Sequence, residues 1–399
     1  MTPIDIAIAG CGPCGLATAL QLARDGHRIT IFERFESPQP IGSGLMLQPT
    51  GLAVLDRLGL GAAARARGAA IQRLSGRAGA NGPLVLDVRY AAMRGDFTGV
   101  GIHRAALFAL LHDAVVAQGI TVETGRSVVA TDPMAGGRRR LVFADGGSAG
   151  PFDLIVDTLG ARTPLADVAG RSLAYGALWA SLDWPEGAGF DAAALEQRYR
   201  AARQMVGVMP IGMAPGHTVR QAAFFWSLRS DQLDAWRQRG LAAWGDEVTA
   251  LWPATVALVA QIATAAQLTF AHYVHRTLPR PTESGLIHIG DAWHSTSPQL
   301  GQGANMALLD SFALAQALRS CGSVADALAW TVHLRRSHIH LYQQLSYWLT
   351  PFYQSDGALV PFARDTLVAT LASVPPMPRL LANLVAGLVG APLGRLGLT

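Results

Sequence analysis

The stretch IAIAGCGPCGLATAL, Ile6 to Leu20, decides the fold. Ile4, Ile6 and Ile8 alternate as in a buried strand, and LATALQLARDG reads as a helix closing at Gly26. The turn between them carries two motifs. Gly10-x-Gly12-x-x-Gly15 has the spacing of a dinucleotide-binding turn, and Cys11-x-x-Cys14 has the spacing of a redox dithiol. Both belong between a strand and a helix, so the surrounding chain must separate them.

HRITIFER supplies the second strand of a βαβ unit and ends near Glu33, 23 positions beyond Gly10. Each residue then has a task. Gly10 permits the tight turn, Gly12 lets the backbone approach a pyrophosphate, Gly15 lets helix pack on strand, and Glu33 can accept hydrogen bonds from a ribose diol. The helix N-terminus offers free N–H groups and a positive dipole end to phosphate. A dithiol needs neither Gly10, Gly15 nor Glu33. The glycines are read as the motif, with the cysteines at its variable positions.

Composition narrows the chemistry further. The chain has 399 residues, half of them hydrophobic and 15% charged, which suits a compact protein with a large core. All 32 basic side chains are arginine; without lysine there is no Schiff-base, P-loop or general-base lysine. A net charge of +4 is too small and scattered for nucleic acid, and GGRRRLVF, with Arg138 to Arg140, reads as a solvated hairpin. Three cysteines are too few for a disulfide framework. No secretory signal is read at the N-terminus, so a cytoplasmic location is the expectation.

Further along, helices are expected from about Thr50 to Leu58 and Arg104 to Gln118, with short strands in ITVETG, VVATD, RLVFADG and DLIVDTLG. ALWASLDW, QMVGVMPIG and RQAAFFWSL, within 172–228, suggest a second, antiparallel sheet, followed by a mostly helical stretch over 230–265. Trp179, Phe224, Phe225 and Trp226 are candidates for a substrate pocket, although strand aromatics often fill core. The apolar C-terminus is cut by Pro375, Pro376, Pro378 and Pro392, so a membrane span is not expected; packing helices or a surface contact with membrane or a partner remain open. His333, His338 and His340 do not converge on one helix face, and no metal site is expected.

GLIHIG, 285–290, is a buried strand that returns to the first layer and places Asp291 at its end, where a carboxylate can hold sugar-like hydroxyls. The loop Pro298 to Gly303 then leads into a helix near Ala304, whose N–H groups would face negative charge on a ligand such as a reduced flavin.

GDAWHSTSPQLGQGANMALLD, Gly290 to Asp310, resembles the second FAD-binding motif of the group A aromatic hydroxylases, the family of para-hydroxybenzoate and ubiquinone-biosynthesis hydroxylases. The glycine turn with Glu33-Arg34, GIHRAALFALL, GSGLMLQPTGLAVLDRLGL and, less decisively, TPFYQSD (350–356) are similar to the same family. The resemblance is weakest over about 165–280. It implies an α/β fold: a Rossmann-like, three-layer FAD-binding domain (1–75, 97–170 and 280–345), an inserted antiparallel β-sheet substrate domain (76–96 and 171–279) and a helical C-terminus (346–399). It implies FAD contacts from Gly10, Gly12, Pro13, Cys14, Gly15, Glu33, Arg34, Val128, Asp291, Pro298, Gly301, Gln302, Gly303, Ala304 and Asn305. In the family Arg104 reaches the pyrophosphate and Gln48 borders the flavin ring. The implied reaction is monooxygenation of an activated aromatic, phenolic or heteroaromatic small molecule by O2 through a flavin C4a-hydroperoxide, with NAD(P)H as reductant. No catalytic base is assigned, and His294 is expected to shape its loop.

One position departs from the family. Its Asp-Gly after the strand DLIVD, which helps place NAD(P)H, is here Leu159-Gly160, and Asp157 would sit roughly 7 Å short. Reduction that is slow or uses an unusual donor is expected, with FAD binding retained. Alternatives are a FAD-dependent reductase of isoprenoid double bonds, a FAD-binding protein without turnover and a thiol oxidoreductase; a tryptophan-type flavin halogenase would need a lysine.

Overall fold

The computed structural model describes residues 1–38, 42–168, 170–357, 359–368 and 374–398. Its central sheet has the order Thr282–Glu283, Leu286–His288, Leu154–Asp157, Asp5–Ala9, Arg28–Phe32, Thr121–Glu123, parallel except at the first, edge strand. Parallel strands are covered on both faces. Ile6, Ile8, Ile31 and Val156 pack beneath the helices Pro13–Arg24, Arg104–Ala117 and Gly303–Ser320. Ala7, Ala9, Phe32 and Ile155 pack on the opposite side against an antiparallel sheet of Val128–Pro133, Arg139–Phe143 and Ser148–Phe152. This gives the three expected layers. The expected hairpin at Arg138 to Arg140 forms, but it is not wholly solvated. Arg139 is 7% exposed and pairs with Glu283 at 2.9 Å, because strand alternation turns the middle arginine inward.

A second sheet of seven strands stands over this assembly. Its order is Thr269–Ala271, Tyr175–Asp183, Gln221–Arg229, Gln204–Pro210, Ala194–Arg200, Arg73–Ala78, Leu84–Arg89. All its pairings are antiparallel except Ala194–Arg200 with Arg73–Ala78. Phe224 and Trp226 face outward into a core with Trp236 and Trp244 of the helix Leu233–Leu251. Trp179 and Phe225 face inward, their ring centroids 4.7 Å apart. The four aromatics therefore divide by parity into two filling the outer core and two lining the inner wall.

The helix Val324–Tyr353 lies beyond the helix Gly303–Ser320, and the chain returns in a C-terminal helix, Met377–Val385. Leu381, Ala382, Val385 and Ala386 pack beside Met46, Tyr90 and Met209, between the layers and the inner wall. Its last carbonyls, which lack helical partners, are met by four side chains. Tyr342 Oη donates to Leu384 at 2.9 Å, Gln302 Nε2 to Val385 at 2.6 Å, Thr50 Oγ1 to Ala386 at 3.5 Å, and His338 Nε2 to Gly387 at 3.0 Å. Among the described residues no helix is long and apolar enough to cross a membrane.

Candidate active site

The three motif glycines differ in what surrounds them. At Gly15 a methyl group would sit 2.1 Å from the Gly10 carbonyl oxygen, and at Gly10, with φ +107°, it would sit 2.9 Å from the Thr158 carbonyl oxygen. At Gly12 it would meet nothing within 4 Å. Packing fixes Gly10 and Gly15, while Gly12 faces open space at the start of the helix, with no side-chain cap and Pro13 in the first turn. That is the cradle a pyrophosphate needs. Glu33 stands beside it: Oε2 accepts the Cys11 N–H at 3.0 Å and Oε1 the Phe35 N–H at 3.0 Å, leaving further lone pairs for a diol.

The two cysteines are thiols without a disulfide. Burial pushes Cys11 up to about 12, helped by the Glu33 charge, and burial with the nearby Asp310, Asp291 and Asp157 charges raises Cys14 well above the usual range. These are not activated thiols. Cys14 Sγ instead contacts the Ala307 carbonyl at 3.7 Å.

That contact brings the second motif to the first. Gly290, at φ +60°, donates its N–H to Asp310 Oδ2 at 2.9 Å, and a methyl group there would lie 3.0 Å from Cys14 Sγ. The next residue, Asp291, is accessible to solvent but crowded by protein. The crowding raises its pKa, while His294 and Arg104 pull the other way, so Arg104 shares its surroundings. Asp291 Oδ1 lies 3.8 Å from where a Cβ on Gly303 would be, at the uncapped start of the helix Gly303–Ser320.

The loop before that helix turns through Pro298–Leu300 and Gly301, at φ +61°. Asn305, fully buried, locks it in place. Its Nδ2 donates to Gly301 and Met46 carbonyls, both at 3.0 Å, and its Oδ1 accepts the Gln48 N–H at 2.8 Å. Ala304 is partly buried in the first helical turn. The Gln302 side chain holds Val385, Gln48 is bonded by Tyr90, and Arg34 lies over the Phe35 ring at 4.5 Å. Val128 is buried with Phe32 and Phe143.

Two buried networks escaped sequence reasoning. Asp310 accepts from Gly290, from His294 Nε2 at 2.6 Å and from Arg335 Nε at 2.7 Å. Arg335 Nη1 donates to His338 Nδ1 at 3.2 Å, and His338 reaches Gly387. Burial would raise Asp310, but the His294 and Arg335 charges outweigh it and hold it at about 2. Burial, then Arg335, lowers His338 to about 3. The ring is therefore neutral and carries its proton on Nε2, because Arg335 can only donate and a carbonyl can only accept.

The second network surrounds Asp157. Its Oδ2 meets His288 Nδ1 at 2.6 Å and Thr163 Oγ1 at 2.6 Å, and its Oδ1 accepts the Leu159 N–H at 2.9 Å. Asp157 is thus fully buried and engaged on both carboxylate oxygens, two residues before Leu159.

Over this floor, Trp179 Nε1 donates to Tyr273 Oη at 3.0 Å. Burial pushes Tyr273 up to about 12, with Trp179 and Arg104 drawing it down, so it is a hydrogen-bond donor rather than a base at neutral pH. A separate groove of about 490 Å³ is lined by His103, Phe108, Ser181 and His217. His103 Nδ1 accepts the Ala105 N–H at 3.0 Å and its Nε2 meets Ser181 at 3.1 Å, so both ring nitrogens are engaged. Among the described residues no group of three or more His, Cys, Asp or Glu is placed to hold a metal ion.

Comparison with known proteins agrees with this geometry. A family model described as FAD binding domain matches residues 3–147 and 171–329. A 3-hydroxybenzoate 6-hydroxylase of Aquipseudomonas alcaligenes is 36% identical over 129 residues, 31% of this chain and 33% of that protein. The chain thus aligns with about a third of the length of that first curated relative. A 3-amino-4-hydroxybenzoate 2-monooxygenase of Streptomyces cremeus is 27% identical over 77% of this chain and 76% of its own. Klebsiella pneumoniae HpxO, solved with FAD and uric acid, shares the fold with a TM-score of 0.81 at 18% identity, over 98% of this chain and 97% of that one. The family match covers both the glycine turn and the Gly290–Asp310 segment that Cys14 joins to it, and the chain belongs to the FAD-binding domain family, with FAD as its cofactor.

Proposed function

We propose that the chain is a FAD-dependent monooxygenase that places one oxygen atom of O2 into an activated aromatic, phenolic or heteroaromatic small molecule, with NAD(P)H as reductant. The observation that carries this reading is the junction of Cys14 with Gly290 beneath an aromatic wall. Arg104, close to both Asp291 and Tyr273, and the Tyr273–Trp179 hydrogen bond connect that junction to the ring-lined face. The relatives named as hydroxylases of aromatic rings support it.

Bound FAD supplies the redox and oxygen-activating chemistry. The chain's own residues bind, orient and exclude water. Gly12 admits the pyrophosphate, Glu33 takes the ribose, and Arg104 with Asp291 flanks the linker between the two halves of the cofactor. The start of the helix Gly303–Ser320, held by Asn305, aims N–H groups at the ring edge that becomes negative on reduction. Trp179, Phe225 and the C-terminal helix keep water from the reacting face. Tyr273, accepting from Trp179, has its own proton to donate to a substrate oxygen. With Leu159 at the family's aspartate position and Asp157 bonded to His288 and Thr163, reduction by NAD(P)H is slow.

The test is the absorption spectrum of the purified protein, with bands near about 375 and 450 nm for a bound oxidised flavin. O2-dependent NAD(P)H oxidation with a panel of phenols and heteroaromatics follows. No flavin after reconstitution removes the reading; turnover without O2 replaces oxygenase by reductase. The exposed Trp348, Leu359 and Phe362 support a surface contact near the C-terminus, with sizing and vesicle co-sedimentation separating a second copy from a membrane.

A further inference from the structure

The wall sheet sorts its charges. Strand side chains alternate between faces, and the register fixes which residues share one. Trp179, Leu195, Tyr199, Met209 and Phe225 lie on the face toward the FAD-binding layers and the C-terminal helix. Arg73, Arg77, Asp87, Glu196, Arg198 and Arg200 lie on the other face. There Arg73 pairs with Asp87 at 2.7 Å, and Arg198 stacks over Trp252 at 4.3 Å. Along the described inner face only Asp183 and Arg229 are charged, both at strand ends, and Arg229 is paired with Asp231 and Asp356.

Two cations approach this face from outside the sheet. Arg104, near enough to draw down both Tyr273 and Asp291, is the one the proposed reading gives to the cofactor's pyrophosphate. Arg364 lies 4.7 Å from the Tyr199 ring centroid and 5.5 Å from that of Tyr353. It is 1% exposed and all three of its nitrogens are committed: Nε to Asp365 at 2.6 Å, Nη1 to the Phe352 carbonyl at 2.8 Å and Nη2 to the Ala201 carbonyl at 3.2 Å. It offers the wall a stacked plane and no free charge.

We infer that the substrate is an uncharged, apolar aromatic compound without carboxylate, sulfonate or phosphate, laid against the inner wall at Trp179 and Leu195, both of them partly exposed. The inference rests on the monooxygenase reading for the position of the ring between flavin and wall. A carboxylate there would lose its water with Arg364 wholly committed and Arg104 given to the pyrophosphate, whereas an apolar ring gains burial against the partly exposed Trp179. Tyr273 supplies the polar contact for a single hydroxyl or ring heteroatom.

The FAD-loaded protein is titrated with 2-naphthol, 4-hydroxyquinoline and 3-methylphenol, each against its ring carboxylate, following tryptophan fluorescence and flavin absorption. The neutral member of a pair is expected to bind at least about tenfold more tightly. Carboxylates that bind as tightly as their partners, or a neutral panel that does not bind, overturn the inference. Leu195→Arg places a cation on the wall and is expected to shift the preference toward the carboxylate, while Leu195→Gln does not; the titration of the unsubstituted protein decides if the arginine variant does not fold. Oxygenated product from a carboxylate overturns the inference and leaves the monooxygenase reading standing. Bound neutral ligands without O2-dependent product leave the inference and remove that reading.

Discussion

Cys14 packs directly against Gly290, with its sulfur 3.0 Å from where a Cβ on that glycine would lie. The first cysteine-bearing turn and the distant loop are thereby one surface, and the cysteine acts through its size. Replacing Cys11 and Cys14 together by alanine should leave FAD content within about twofold of the parent, because small buried truncations cost packing rather than ligand contacts. Loss of activity with FAD retained would return a redox role to the thiols.

The glycines should separate folding from binding. Gly12→Val has room for its Cβ and should keep the circular dichroism spectrum while losing FAD, since the new side chain occupies the phosphate approach. Gly15→Ala meets the Gly10 carbonyl at 2.1 Å and should fail earlier, as insoluble or unfolded protein. Equal behaviour of the two variants would contradict this division.

These positions were legible in the sequence because dinucleotide binding needs glycines at fixed spacing, an acidic residue after the second strand and a second strand-loop-helix downstream. The strand Ala194–Arg200 was not. Its Glu196, Arg198 and Arg200 are charged, unlike the apolar segments read as strands, and only the register shows them sharing one face. Arg335 and His338 were equally hidden. Nothing in a helical sequence marks a partner 25 residues upstream, as Asp310 is to Arg335, or a backbone carbonyl 49 residues downstream, as Gly387 is to His338. The wall aromatics were recognised, but only strand parity divides Trp179 and Phe225 from Phe224 and Trp226.

Asp310→Asn should be strongly destabilising. It leaves Arg335, wholly buried, without its counter-charge, a loss of about 3 to 5 kcal/mol for a broken buried pair. Denaturant unfolding of the FAD-loaded protein checks this, and a change under about 1 kcal/mol would place the network outside the stability of the fold.

Acid should weaken the protein through His338. Its folded pKa, about 3, lies below the unfolded value near 6.5, so the unfolded chain binds the proton first. The stabilisation is complete above about pH 6.5 and declines as pH falls toward about 3. His27, buried, and His103 and His275, half-buried, have lowered values too and add to the same limb. His338→Asn should therefore flatten the fall in melting temperature between about pH 6.5 and 4 relative to the parent without removing it. An unchanged slope would show that this ring does not stay neutral.

Leu159→Asp should accelerate flavin reduction by NADH or NADPH by at least about tenfold in stopped-flow traces if the missing carboxylate is what limits hydride donation. Fast reduction of the unsubstituted protein would sink that account, since Asp157 is held by His288 and Thr163.

The two large sheets interleave along the chain. Strand Arg73–Ala78 lies between segments of the parallel sheet and pairs with Ala194–Arg200, more than a hundred residues away, while Leu286–His288 completes the parallel sheet after the wall has been built. Neither sheet is a continuous stretch that could be excised or fold while the other waits. Loops of this length close slowly, so refolding should be slow. Heat should melt the parallel layers and the seven-stranded wall in one transition rather than two.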